Sequence, residues 1–392
     1  MIGTLATLMM LSPIGSGRYR LREETGAEAP IPILVMMVAI GGVLLVCSSN
    51  WLTVYLAIEL PTLSLFVLAA QQRGSGRSAE AGIKYFVLGA LTSGLFLFGC
   101  AILIGLAGGA SIPCGDLIHG PANVGVVPPL GSLLITVALL FKLASAPFHM
   151  WAPDVYDGAP TPTTALLAIV PKVAIFSILV SVGPIINLLL LGAVLSLVVG
   201  SLGALNQTKI KRLLAYSGIG HMGFILWGLE IGTFESIQAR LIYMTIYVIM
   251  SISIFTIVLS QGLNRNYLVE LSGLSRGQPA LALSLALTLL SMAGIPPLVG
   301  FMAKWWVLLP GVVNHYYVVA VLAVVCSVVA GVYYVRVVKI LYFQTDYPVL
   351  LGIKALRGAN QINLRKGLLI SVSLYAIACT IISPNFLLQL SH

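Results

Sequence analysis

Charge is what this sequence has least of. Asp, Glu, Lys and Arg together make up 8% of the 392 residues, against 59% hydrophobic residues and a mean hydropathy of +1.03. No water-facing surface can be built from that composition, which excludes a soluble globule. The usual ligands of redox and metal chemistry are missing too. Cys47, Cys100, Cys114, Cys326 and Cys379 lie mostly in apolar segments without C-x-x-C spacing, so neither a metal site nor a disulfide framework is indicated. No G-x-G-x-x-G follows a strand and no flavin site or cluster-ligand cysteines are found, which argues against a self-contained dehydrogenase. Acid-poor presequences are also excluded, because Glu23, Glu24 and Glu28 interrupt the arginines near the start and no small-residue cleavage site follows Met1–Pro13; no cleavable leader is expected.

Long apolar runs are there instead. Crossing a hydrocarbon core of roughly 30 Å takes about 20 helical residues, and about eleven such runs are predicted, at 31–49, 51–70, 80–106, 130–149, 161–182, 185–206, 212–231, 237–262, 279–308, 316–343 and 366–387. The runs are continuous rather than alternating, which selects helices over a membrane barrel. The expected fold is therefore an all-α polytopic membrane protein. Its parts are a short apolar stretch and polar loop at 1–30, two five-helix halves at 31–182 and 185–343, and a loop with a last helix at 344–392.

The formal net charge of +9 is unevenly shared. Numbering the loops alternately sends Arg18, Arg20, Arg22, Arg73, Arg77, Lys209, Lys211, Arg212, Arg265, Arg276 and the basic residues of 354–366 to one side and leaves essentially only Arg240 on the other. By the rule that Lys and Arg stay on the cytoplasm-equivalent side, the N-terminus faces matrix or cytoplasm and His392 the opposite compartment. The cations are spread over short loops at headgroup level without a basic-aromatic module, so anionic lipid fits them better than nucleic acid.

Five ionisable residues fall inside predicted spans: Glu59, Lys84, Lys142, Lys172 and Lys304. A charge at the bilayer centre costs about 2.5–3.5 kcal/mol even on a lenient scale, so each is a functional candidate. Glu59 and Lys172 sit near mid-membrane by helix rise; Lys84 and Lys304 lie near helix ends, where snorkelling is the plain alternative. For Glu59 and Lys142 the plain alternative is a static buried ion pair. Breaks are predicted where Lys142 is followed by Pro147 and where Gly294-Ile295-Pro296-Pro297 precedes Lys304. Each is the fourth span of its half, and five spans per half allow an inverted repeat of the kind secondary transporters use.

Specific strings carry a resemblance. Leu56-Ala-Ile-Glu59-Leu, Glu80-Ala-Gly-Ile-Lys84-Tyr, the stretch from Phe141-Lys142 through Pro147, His149, Trp151 and Asp154 to Thr161, Lys209-Ile-Lys211-Arg212 and Ala293-Gly-Ile-Pro296 together resemble the antiporter-like membrane subunits of respiratory NADH:quinone oxidoreductase, chain 2 in particular. The similarity runs in order from about 31 to 387. It implies two inverted five-helix bundles with discontinuous helices, no redox cofactor on this chain, and a hydrated charged axis. Glu59 then takes the family's carboxylate, Lys142 its partner, Lys172 the central relay and Lys304 the lysine of the second broken helix; Lys84, His149 and His221 are further candidates, His149 being as often a helix cap. NADH, FMN, iron–sulfur clusters and ubiquinone are implied in other subunits. Partners are the neighbouring chain 4, small membrane subunits and phospholipids, with cardiolipin one candidate. About three N-terminal helices of the bacterial pattern are absent, which favours a shortened mitochondrial type in the inner membrane. Two alternatives stay open: a subunit of a cation/proton antiporter, and a structural membrane-arm subunit.

Overall fold

The computed structural model describes residues 31–344 apart from 73, 108, 111–126, 183–185 and 262–265, together with 367–377 apart from 369 and 376. Cys114, Cys379, the 1–30 stretch and most of the expected last helix lie outside the described residues. Every named element is a helix, thirteen α-helices and one 3₁₀ turn among the described residues, with an isolated bridge between Lys209 and Tyr267. Among the described residues six helices are long and apolar enough to cross a membrane: Trp51–Ala69, Gly76–Leu106, Thr161–Val180, Leu188–Leu205, Phe234–Gln261 and Tyr317–Phe343.

The chain divides into two compact units, Met1–Ser196 and Leu197–His392. The first begins with α1 (Ile31–Cys47) and α2 (Trp51–Ala69), which approach closely because a Cβ added at Gly41 would stand 2.4 Å from the ring of Pro61. Small residues at helix contacts let backbones meet where lipid supplies no hydrophobic drive. Next come α3 (Gly76–Ala107), α4 (Val127–Lys142), the short α5 (Trp151–Gly158) and α6 (Thr161–Val182). Largely buried, α6 packs against α1, α2, α4 and α5 and forms the centre of this unit.

The division falls within α7 (Ile186–Leu205). The second unit continues with α8 (Ile210–Ile231), α9 (Phe234–Gln261), a 3₁₀ turn Leu268–Leu271, α10 (Leu274–Gly277), α11 (Pro279–Ala293), α12 (Val299–Val313) and α13 (Tyr317–Phe343). Here α9 is central, touching α8, α11 and α12.

The runs expected as single spans at 130–149 and 279–308 are interrupted where the prolines stand. The α4 run stops at Lys142, and Ala144 turns into the left-handed region at φ 59°. Its last carbonyls are then capped rather than orphaned. Ser145 donates from both its amide, at 3.1 Å, and its hydroxyl, at 2.9 Å, to the carbonyl of Leu140. The indole Nε1 of Trp151 donates to that of Phe141 at 3.0 Å. In the second unit α11 ends at Gly294, whose φ of 83° is the left-handed conformation that glycine adopts without strain. Outward, the helices expose large apolar side chains such as Leu56, Ile83, Val318 and Val328, the face a lipid-embedded chain presents.

Candidate functional site: buried charges at two broken helices

Glu59 lies eight residues into α2, just before Pro61, which cannot donate to the carbonyl of Ala57. Its carboxylate is held from two neighbouring turns. Ser93 on α3 donates its hydroxyl to Oε1, and Thr62 Oγ1 stands 3.4 Å from Oε2 and 3.0 Å from Glu59's own carbonyl. Ser93 has a second acceptor, the Gly89 carbonyl at 3.0 Å, so its single proton can be given to the carboxylate or returned to the helix.

Lys142 Nζ stands 4.0 Å from Glu59 Oε1, with side-chain exposures of 5% and 17%. That ammonium has no hydrogen-bond partner among the described residues. The sequence puts it there because Lys142 is the last residue of α4, where the break begins. At 4.0 Å the charges attract without a direct bond, so small movement of either side chain changes the pairing. Aromatic rings wall the break: Tyr85 stacks on Trp151 with centroids 4.8 Å apart and meets Phe66 edge-on at 4.7 Å. Lys172 is buried at 2% exposure in α6, directly after Pro171.

In the second unit Lys304 is buried on α12. It donates to the carbonyl of Ala293 at 2.7 Å, the last residue of α11, and lies 5.6 Å from the ring centroid of Phe224. A broken helix end thus offers its carbonyl, with partial negative charge, to a lysine on the helix that follows. Lys304 also lines a cavity of about 20 Å³ together with His221, Ser217, Ser201, Tyr333 and Tyr334, room for one water among polar groups. Both ring nitrogens of His221 are engaged, Nδ1 with Tyr243 Oη at 2.8 Å and Nε2 with Tyr334 Oη at 3.4 Å.

Of the expected residues, the structure thus brings Glu59 and Lys142 together in the first unit, and Lys304 and His221 around one cavity in the second. Two others stand apart. Lys84, expected inside a span, is 42% exposed and ion-paired with Glu80 at 2.7 Å and Asp154 at 2.9 Å, joining α3 to α5. His149 is partly exposed in the turn before α5, where its carbonyl accepts from Ala152. The hydroxyls of Ser93, Thr62, Tyr243 and Tyr334 escaped the sequence reading. Most serine and threonine hydroxyls here bond a carbonyl three or four residues back, as Ser196 and Thr288 do, and no sequence signal separates Ser93 from them. No group of three or more His, Cys, Asp or Glu able to hold a metal occurs among the described residues.

Residues 48–330 match the family described as NADH:quinone oxidoreductase/Mrp antiporter, transmembrane. A protein of Metridium senile called NADH-ubiquinone oxidoreductase chain 2 is 68% identical over 94% of this chain and 97% of its own length. NADH-quinone oxidoreductase subunit N of Beijerinckia indica is 40% identical over 89% of this chain and 74% of its own. Among solved structures, a chain of respiratory complex I from Thermus thermophilus with bound Aureothin superposes with a TM-score of 0.83 at 31% identity, covering 99% of this chain and 84% of that one. A chain of the Mrp complex from a Dietzia species shares the fold alone, with a TM-score of 0.86 at 19% identity over 100% of this chain and 80% of that one. The expected resemblance to chain 2 is borne out, and the chain belongs to the NADH:quinone oxidoreductase/Mrp antiporter membrane family.

Proposed function

We propose that this chain is a proton-translocating membrane-arm subunit of NADH:ubiquinone oxidoreductase in the mitochondrial inner membrane. On this reading it has eleven spans arranged as two inverted five-helix bundles, 31–182 and 185–343, plus a C-terminal helix, with the N-terminus on the matrix side and the C-terminus on the intermembrane-space side. It is part of an enzyme without a redox centre of its own; NADH, FMN, iron–sulfur clusters and ubiquinone belong to other subunits. Its neighbours are the antiporter-like chain 4, small membrane subunits and phospholipids, cardiolipin among the candidates.

The observation that carries this reading is the buried Glu59–Lys142 pair, 4.0 Å apart at a helix break, with the lysine making no hydrogen bond among the described residues. Taking a lysine out of water disfavours its ammonium form, and an ionised carboxylate nearby restores it. Quinone chemistry in other subunits changes the field at Glu59 and loosens the pair, so that Lys142 gives up a proton, with Lys172, His221 and Lys304 as further carriers and Lys84 and His149 as peripheral ones. The coupling is a free energy between sites. Moving one charge against a membrane potential needs roughly 2.3 kcal/mol per 100 mV, which is the scale a buried pair supplies.

Mass spectrometry of an NADH dehydrogenase-active native-gel band tests the assembly: the chain is expected in the large active complex, and its presence only in small inactive particles makes the antiporter reading the better one. For the path, Lys172→Met is expected to lower proton translocation with assembly intact. Wild-type pumping by an assembled Lys172→Met complex removes that residue from the path.

A further inference from the structure

Glu230 takes no part in the path traced so far, yet it sits where a carboxylate is costly. It is the second-last residue of α8, 7% exposed, with an Oε2 that is buried and makes no hydrogen bond among the described residues. Burial strips a carboxylate of its hydration, and the C-terminal end of a helix carries a partial negative charge that repels it. The hairpin that α8 forms with α9 holds three more buried polar atoms without a hydrogen-bond partner among the described residues: Nε1 of Trp227, Nε2 of Gln238 and Nε of Arg240. Polar atoms buried in this way recruit ordered water.

The hairpin lies in line with Lys304. His221, Phe224, Trp227 and Glu230 follow one another at intervals of three along α8, so each side chain neighbours the next. Lys304 of α12 shares the cavity with His221 and stands 5.6 Å from the ring centroid of Phe224. Further along α12, Val307 is 3.7 Å from the site of a Cβ on Gly228, and the ring of the fully buried Trp227 fills the space that a Cβ on Gly311 would need. The α12 helix therefore accompanies α8 from the cavity toward the hairpin. From Phe224 to Glu230 the helix rises about 9 Å, a length that about three hydrogen bonds of about 2.8 Å cover. Arg240 of α9, whose Cβ is 3.4 Å from that same Gly228 site, puts a fixed positive charge into the hairpin. On the topology proposed above α8 is the seventh span, so this end of it faces the intermembrane space.

We propose that Glu230 is the proton-release group of the second unit: it takes the proton of Lys304 through water held at Trp227 Nε1 and passes it to the intermembrane space. In the first step the Lys304 ammonium becomes a neutral amine and the Glu230 carboxylate a carboxylic acid. In the second the acid gives its proton to water outside and is a carboxylate again. The face of the Phe224 ring attracts the ammonium, which eases Lys304 off the Ala293 carbonyl toward the hairpin. Arg240 carries no proton; its charge draws Glu230 back to the carboxylate once the proton has left. The proposal rests on the proton-carrying role of Lys304.

The test is the number of protons pumped per electron by proteoliposomes of the assembled complex supplied with NADH and quinone. Glu230→Gln keeps the shape of the side chain but cannot accept the proton, and is expected to lower the ratio to that of a Lys304→Met complex. Glu230→Asp is expected to restore most of it, and joining Glu230→Gln to Lys304→Met to lower it no further. A wild-type ratio in an assembled Glu230→Gln complex overturns the proposal. So does a Glu230→Asp complex no better than Glu230→Gln. Recovery of the ratio on adding Arg240→Gln to Glu230→Gln overturns it as well, because Glu230 is then only the counter-charge of Arg240. Should Glu230→Gln not assemble, Trp227→Phe decides, since it keeps an aromatic ring but removes the N–H: a lowered ratio supports the release path and an unchanged one refutes it. A wild-type ratio in a Lys304→Met complex defeats the proton role of Lys304 itself, whereas impaired pumping there combined with normal pumping by Glu230→Gln defeats only the release group.

Discussion

Replacing Glu59 by Gln removes one charge while keeping the shape and an acceptor for Ser93. Two unit charges 4.0 Å apart interact by about 4 kcal/mol at an effective dielectric of about 20, and side-chain exposures of 5% and 17% leave little solvent to screen them. That coupling matches the work of moving one charge against a potential of roughly 170 mV, at about 2.3 kcal/mol per 100 mV. Glu59→Gln should therefore act as a loss of force rather than a block. Proteoliposomes of the variant complex are expected to pump with NADH and quinone when the potential is clamped near zero and to stall at a clearly lower opposing potential than the wild type. The assay is the initial proton flux against a series of imposed potentials, with electron transfer recorded in parallel. Because the substitution leaves Lys142 buried without its counter-charge, at a cost of about 3–5 kcal/mol, a native gel must first show an assembled complex. Superimposable flux–potential curves from assembled wild-type and Glu59→Gln complexes refute the idea that this pair drives transfer.

Ser93→Ala removes a hydrogen bond to a charged group, about 1.5–3 kcal/mol, and is expected to shift the stalling potential in the direction opposite to any weakening of the Glu59–Lys142 attraction, because a carboxylate deprived of its hydroxyl leans more on the lysine; an unchanged curve makes Ser93 a packing residue. Trp151→Phe keeps the ring that stacks on Tyr85 but loses the bond to the Phe141 carbonyl, worth about 1 kcal/mol. Faster hydrogen exchange at the 143–145 amides is expected, and unchanged protection shows that the indole does not hold the break. Gly300→Ala would bring a Cβ to 1.7 Å from the Ser291 carbonyl, beyond the roughly 1–3 kcal/mol of ordinary overpacking, so native gels should show little assembled complex; normal assembly means that α12 can move away from α11 freely.

Much of the helix inventory was legible because lipid imposes one rule, that backbone groups bond within the segment, and hydropathy reports it directly. Expected spans such as 161–182 and 316–343 correspond to Thr161–Val182 and Tyr317–Phe343. Proline marked both interruptions for the same reason: it removes a donor that no water replaces. The buried lysines were legible from the cost of a charge in an apolar run, and Lys142, Lys172 and Lys304 are indeed buried. Lys84 shows where that signal fails, because its two carboxylate partners come from one turn earlier on α3 and from α5 seventy residues away, and only the first is visible locally. Arg240 was read as the one cation left on its side of the membrane; its burial at 4% exposure, with its Cβ packed against Gly228, is a tertiary fact. His221 was named, but its two tyrosine partners lie 22 and 113 residues away.

The interrupted helices have a consequence for how the chain is made. With 15 residues each, α11 and α12 are about 22 Å long, short of the roughly 30 Å that a hydrocarbon core presents. Neither can be handed to the bilayer as an independent stop or start by the insertion machinery, and α12 would bring Lys304 with it uncompensated. Entering as a pair, with the lysine on the Ala293 carbonyl, they bring that charge in already compensated, which couples insertion of this segment to its tertiary folding.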